Sequence, residues 1–403
     1  MKYGLIVFKD TENIGDDIQS YAALKFLPKV DYYIEREHMD TFVPNEKEYV
    51  RVLMSGWFLH KKYNFDLSPY IYPFFISTHL SSYKTFGIEN EHIKLFAPYL
   101  RKYGPIGCRD IHTHEVLDKY KIDNYISGCI TLTIDKLKTT KNKSDYICCV
   151  DVSDEVEEYI KQNTELKIIK KTHKLDGKEN AKLSYEERFE NVRNLLKVYQ
   201  NAKLVVTSRL HCALPCLALG TPVIIVTDDK SIYYKDRINS YLEYLTYYSE
   251  SDFLKTSIDD LLKVKNNDSY LKIRNGIIDK IEKNINIPNK ETDSLPDIKT
   301  FKNIYVKRKL NINKLLDTLS DNYRDTFNEN INLKYAVDYW KENYDTALID
   351  SKKAVSINDI YWRKEYNNLL KNKEEAVKAN DDYWRKEYND LLEKYNQLFN
   401  NKE

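Results

Sequence analysis

Three segments carry residue types that could do chemistry. In TSRLHCALPCLALGTP (207–222), Arg209 follows the apolar run LVVTS (204–208), and His211 falls in the first turn of the helix that comes next. A helix N-terminus presents free amides and the positive end of its dipole, so it attracts phosphate or carboxylate. The guanidinium adds a planar fork for two oxyanion oxygens. The apolar helix behind them, with Cys212, Leu214, Cys216 and Leu217, would anchor both groups in the core. On spacing alone an equal alternative stands, in which Arg209 pairs a buried carboxylate and His211 is a cap. Cys212 and Cys216 at i, i+4 have a ligand spacing, but packing thiols explain them better, and no metal is expected.

The segment GCRDIHTHEVL (107–117) repeats the arrangement, with Arg109 after a short strand and Asp110 in position to cap the following helix. An Arg thus stands at a strand-to-helix turn in each half of the chain. Two such groups facing one cleft would suit a small, multiply anionic ligand. His112 and His114, two apart, point to different helix faces, which argues against a metal-binding pair. The third segment is ENIGDD (12–17). Gly15 permits tight backbone geometry, and Asp16 or Asp17 could cap a helix starting near Ile18. In a parallel sheet this loop lies at the carboxyl edge, where ligands bind. A capped turn without a ligand fits it equally well. Asp16 and Asp17 lack an evident third metal ligand.

The elements around these segments alternate. LIVF (5–8), VRVLMSG (50–56), YPFFIST (72–78), PIGC (105–108) and NYISG (124–128) read as strands, separated by helical periods at 18–28, 92–104 and 111–120. A polar stretch, KLKTTKNKSD (136–145), precedes a second set: strands 146–152, 166–172, 204–208 and 222–227, with helices at 154–162, 184–202 and 211–219. Short apolar runs between helices imply buried parallel sheets covered on both faces. The expected fold class is α/β with two Rossmann-like domains. The expected boundaries are 1–137, an N-terminal α/β domain on the acceptor side, and 143–285, a C-terminal α/β domain on the donor side. Residues 286–330 are a linker with helices. Two such halves create a cleft, and clefts bind ligands.

The chain has 403 residues, with 63 Lys+Arg against 62 Asp+Glu. That balance argues against a general nucleic-acid binder. No Gly or Pro occurs in the final 107 residues, 297–403. There DYWKENYDTAL (338–348), IYWRKEYNNLL (360–370) and DYWRKEYNDLL (382–392) repeat, with Trp340, Trp362 and Trp384 spaced by 22. Two hendecads, at about 3.67 residues per turn, keep an apolar stripe on one face of a long helix. Residues 331–403 are therefore expected to form a coiled-coil tail that makes the protein a homo-oligomer. Peripheral docking on a membrane and a solvated lone helix are the alternatives. The tail holds 13 Lys+Arg and 14 Asp+Glu, whereas membrane docking favours a basic face. The uncharged stretches 67–83 and 210–227 contain prolines and are not credible spanning helices. The start MKYGLIVFKD reaches Asp10 too soon for a secretory leader. With six cysteines and no CxxC pair, a cytoplasmic location is expected, with the inner face of the membrane as an alternative.

Taken together, NIGDDIQSYAALKFLP (13–28), GCRDIHTHEVL (107–117), YISGCITLTI (125–134) and VVTSRLHCALPCLALGTPVIIV (205–226) resemble the polysaccharide pyruvyl transferase family. The resemblance covers about 1–285, and SRLH followed by an apolar helix and GTPV is its most specific piece. It implies a GT-B-like arrangement of the two domains. The implied activity is transfer of a pyruvyl group from phosphoenolpyruvate, a donor substrate and not a cofactor, to sugar hydroxyls of a surface glycan or its precursor. Motif matches carry over Arg209 and His211 as donor-site residues. Arg109 and the loop with Asn13, Gly15 and Asp16 would face the same cleft, with Ser208 beside Arg209. His211 is placed to act as the acid, and the acceptor's base is unassigned, with Asp16 as the candidate. A bound phosphate is expected to outweigh the helix dipole and keep His211 protonated. A GT-B glycosyltransferase using a nucleotide sugar, or an inactive scaffold, would share the fold.

Overall fold

Alternation along each strand builds the fold. In the computed structural model, which describes residues 1–58, 67–80, 89–138, 145–227, 238, 240–289 and 295–306 with scattered positions from 367 to 393, the chain forms two parallel sheets. The first half runs β1 (Lys2–Val7), α1 (Ile14–Leu24), β2 (Tyr32–Glu35), β3 (Val50–Phe58), β4 (Ile71–Leu80), α2 (Glu89–Tyr103), β5 (Ile106–Cys108), α3 (Ile111–Lys119) and β6 (Asn124–Ile126). The second half runs β7 (Tyr146–Val150), α4 (Asp154–Asn163), β8 (Lys167–Lys171), α5 (Gly177–Asn180), α6 (Tyr185–Asn201), β9 (Leu204–Thr207), α7 (Leu210–Leu219), β10 (Val223–Thr227) and β11 (Thr246–Ser249).

The sheets are ordered β2-β1-β3-β4-β5-β6 and β11-β10-β9-β7-β8, and every strand pairing in them is parallel. Both orders reverse direction after their first strand. This leaves a crevice at the carboxyl ends of β1 and β3 in one sheet and of β7 and β9 in the other, where α/β proteins bind ligands.

Odd and even positions of each strand face different cores, as the period of two requires. Leu5 and Val7 of β1, Cys148 and Val150 of β7, Val205 of β9 and Ile225 of β10 all enter one central apolar cluster, together with Ile18 of α1 and Leu214 of α7. Their neighbours Ile6 and Phe8 face a separate cluster behind the first sheet. Ile147, Val206 and Ile224 face one behind the second. The central cluster lies between the two sheets and belongs to both. The six cysteines are buried and free.

Two expectations from the sequence are corrected. Helix α1 starts at Ile14, not near Ile18, and its cap is Asn13, whose side chain accepts from Gly15 N. Asp16 and Asp17 lie inside the first turn and do not cap it. Strands β2 and β11 were not anticipated, and each is an outermost strand of its sheet.

After the helix Tyr270–Asn284 the chain returns to the first half. Arg51, buried and stacked 4.2 Å from the Tyr72 ring centroid, donates from Nη2 to Asn284 O at 2.9 Å. Tyr3 Oη donates to Asn286 Oδ1 at 2.6 Å, and Tyr70 Oη to Pro296 O at 2.9 Å. The described residues between 1 and 306 belong to one compact unit. The coiled-coil expectation for 331–403 lies outside the described residues, apart from scattered exposed helical positions between 367 and 393. Among the described residues, no helix is long and apolar enough to cross a membrane.

Candidate active site

The site assembles where the two crevices meet. At the second, the carboxyl ends of β7 and β9 deliver Asp151 and Arg209. Asp151, in left-handed backbone (φ 50°), accepts hydrogen bonds from Thr172 Oγ1 at 2.6 Å, His173 N at 2.9 Å and Arg209 Nε at 2.7 Å. Burial favours protonation of its carboxyl, but those three donors outweigh it and hold the group below the usual carboxylate range. Ser208 Oγ donates to the Asp151 carbonyl at 2.5 Å.

Arg209 is the residue that precedes α7, in extended backbone (φ −102°, ψ 121°). Its side chain is 25 % exposed, and the Asp151 carboxylate grips only Nε. Among the described residues, neither terminal nitrogen of the fork has a hydrogen-bond partner. The sequence left open whether Arg209 pairs a carboxylate or binds a ligand. The geometry allows both at once: one edge is held and the other is presented.

His211 sits one residue into α7, with 6 % of its surface exposed. The helix behind it is wholly buried and closes on Gly220 in left-handed backbone (φ 72°), a conformation glycine adopts freely. Gly15 is packed against His211: a Cβ there would lie 3.0 Å from His211 Nδ1.

The loop carrying Gly15 is pinned by the second half. Ile14 N donates to His173 O at 2.9 Å, and Asn13 bridges Lys174. Asn13 spends its side chain on capping α1, and Asp16 bonds Thr11 Oγ1 at 2.7 Å and Gln19 Nε2 at 3.3 Å. Asp17 turns inward instead. It forms an ion pair with Arg188 of α6, which also donates to the carbonyls of Phe8 and Lys9. Burial raises the Asp17 pKa despite that partner.

Arg109 reaches the same loop from below. It is 1 % exposed, so it does not line an open cleft as the sequence suggested. Its Nη1 donates to Gln19 Oε1 at 3.2 Å, and Gln19 in turn bonds Asp16. The structure therefore connects Arg109, Gln19 and Asp16 in one chain, with Gly15 and His211 beside it. Asp110 caps α3, as expected, through Thr113 N. His112 and His114 diverge, the latter to Asn124 at 2.5 Å.

Sequence reasoning missed Asp151, His173 and Gln19. A charged residue ending the apolar strand YICCVD was a usable sign for Asp151. His173 and Gln19 owe their place to tertiary contacts alone.

A family model described as polysaccharide pyruvyl transferase matches residues 13–230, a span that holds Asn13, Gly15, Arg109, Asp151, Arg209 and His211. No curated protein matches the chain. Among solved structures, it is similar to a functionally uncharacterised protein of Klebsiella pneumoniae subsp. pneumoniae NTUH-K2044. That match has 14% identity and a TM-score of 0.41, and covers 61% of this chain and 92% of that one. It is also similar to the UDP-GlcNAc 2-epimerase of Methanocaldococcus jannaschii, solved with UDP-GlcNAc and UDP. Here identity is 11% and the TM-score 0.33, with 70% of this chain and 99% of that one covered.

Proposed function

The chain belongs to the polysaccharide pyruvyl transferase family, and from that premise we propose that it moves a pyruvyl group from phosphoenolpyruvate to two hydroxyls of a glycan, forming a ketal. The observation that carries the reading is Arg209: its Nε is fixed by Asp151 at 2.7 Å while the remaining fork opens at the crevice. Phosphoenolpyruvate bears a phosphate and a carboxylate. A guanidinium held at one edge beside a helix N-terminus is a matching clamp.

The chemistry divides into two steps. One sugar hydroxyl adds its oxygen to the enol carbon while the methylene carbon gains a proton. A second hydroxyl then attacks the same carbon, the bond to phosphate breaks, and inorganic phosphate leaves. His211, in the first turn of α7, is placed to give the methylene proton. A bound phosphate favours its imidazolium form more than the helix dipole opposes it. Gly15 contributes by absence of a side chain, which lets the loop close on the ring.

The two-sheet division supports an acceptor side in residues 1–137 and a donor side in 143–285, in a GT-B-like arrangement. The 22-residue repeat would serve to join copies of the chain. Light scattering of a chain ending near residue 300 should then show fewer chains per particle than the full chain does.

The test is direct. The full chain, phosphoenolpyruvate and a glycan panel are incubated, and phosphate release and the glycan mass are followed. A ketal mass that appears with wild type and vanishes in Arg209→Ala and His211→Ala, at nearly unchanged melting temperature, supports the reading. Thermal stabilisation by nucleotide sugars and not by phosphoenolpyruvate would overturn it in favour of glycosyl transfer.

A further inference from the structure

A single residue holds both arms of the site. His173 lies just beyond the carboxyl end of β8 and is 1 % exposed. Its amide N donates to Asp151 Oδ2 at 2.9 Å, the same oxygen that takes Arg209 Nε at 2.7 Å. Its carbonyl accepts from Ile14 N at 2.9 Å. Ile14 precedes Gly15, and Gly15 packs against His211. Leu175 N adds a bond to Glu12 O at 2.8 Å, so 173–175 run as a short antiparallel ladder beside 12–14. The Arg209 grip and the turn that crowds His211 are thus fastened to opposite ends of one peptide residue.

The His173 ring fixes where that residue sits. Its Nε2 lies 2.9 Å from Tyr199 Oη, and the two rings are inclined by only 22°. Tyr199 is fully buried in the central apolar cluster. An imidazole and a phenol hydroxyl enclosed there satisfy each other only over a narrow range of distance and angle. An apolar pair of the same shape could pack there at little cost, but without that directional constraint. Tyr199 belongs to α6, the helix that also sends Arg188 to the carbonyls of Phe8 and Lys9 beyond β1. One helix therefore anchors the carboxyl end of β1 directly, and both arms of the site through His173.

We propose, resting on the pyruvyl-transfer reading, that His173, held by Tyr199, is a positioning residue that sets the donor clamp and the acid relative to each other. It acts through Asp151 on Arg209, and through Ile14 and Gly15 on His211. Displacing it moves the guanidinium and the imidazole together, so donor binding and proton delivery are lost together. A residue that served stability alone would leave both intact in the folded enzyme.

The experiment measures kcat and the KM for phosphoenolpyruvate on the full chain, with the melting temperature, for His173→Leu, His173→Gln and Tyr199→Phe. Leucine fills space but offers Tyr199 no polar atom. Its kcat/KM should fall about 100-fold, the scale of a roughly 1 Å misplacement, with kcat lowered and KM raised. Glutamine can still meet Tyr199 Oη and should recover most of that loss. Tyr199→Phe removes only the hydroxyl and should show the same joint change on a smaller scale. In the double variant Asp151→Asn/His173→Leu the two losses should overlap and not multiply, because both act on Arg209. Wild-type kcat and KM in folded His173→Leu or Tyr199→Phe overturn the assignment, whatever the melting temperature does. So do a change confined to kcat or to KM, a glutamine variant no better than leucine, and multiplied losses in the double variant. Should His173→Leu not fold, Tyr199→Phe decides. A wild type that makes no ketal sinks the transfer reading itself; a wild-type ketal with unaltered variants sinks this assignment alone.

Discussion

Gly15 and His211 touch across the boundary between the two sheets, so closely that a Cβ on Gly15 would stand 3.0 Å from His211 Nδ1 and 3.1 Å from its Cβ. The contact joins the first turn of α1 to the first turn of α7. It makes the position of the imidazole depend on a residue with no side chain of its own.

Gly15→Ala should therefore separate stability from activity. Alanine is the better helix former by about 1 kcal/mol, which offsets much of the crowding. The melting temperature should move by only a few degrees, while ketal formation falls at least about tenfold because the ring is displaced. Wild-type turnover in this variant would mean that His211 need not sit where it does.

Asp151→Asn probes the grip on Arg209. Asparagine tolerates the left-handed backbone at this position and keeps one acceptor oxygen, enough for the His173 and Arg209 donors on Oδ2 or for Thr172 on Oδ1 but not for both, and it loses the charge facing Arg209 Nε. Turnover should fall by up to about 100-fold, the scale of a roughly 1 Å misplacement. Steady-state kinetics with phosphoenolpyruvate as the varied substrate checks this.

Arg188→Met should be strongly destabilising. It leaves the buried Asp17 carboxylate without its partner, at about 3–5 kcal/mol, and strips donors from the Phe8 and Lys9 carbonyls. Adding Asp17→Leu should recover part of the loss, since the stranded charge is then gone. Urea unfolding of the two variants measures the difference.

Acid stability has a definite sign. Asp110 and Asp151 have lowered folded pKa values, so they stabilise the fold above the unfolded value of about 3.9. That contribution drains as pH falls through their folded values. Asp17 has a raised pKa, so its charge opposes folding near neutrality and protonation relieves it as pH falls through that value. The unfolding midpoint should hold down to about pH 4 and then drop, and the drop should be shallower in Asp110→Asn.

Most of the fold was readable because buried parallel strands are continuous apolar runs, as in YICCV and VIIVT. The two strands that escaped, YYIE of β2 and TYYS of β11, are edge strands. An edge strand buries less, so it carries tyrosines and polar residues in place of a Val/Ile run. The start of α1 was misplaced because Gly15, Asp16 and Asp17 look like a loop. Asn13 caps ahead of them, and acidic residues suit a first helical turn. At the site, Arg209 and His211 were visible because a strand-to-helix turn fixes both locally. The Asp151 grip, the Gly15 contact and the Gln19 link join residues distant in the chain, and no local pattern encodes them.

The central apolar cluster between the two sheets limits how the protein can be divided. Cut between the halves, each fragment would present an open hydrocarbon surface that the other now covers. Neither half should then fold on its own, and the pair should melt in a single cooperative transition. Separately expressed fragments should aggregate unless they are made together.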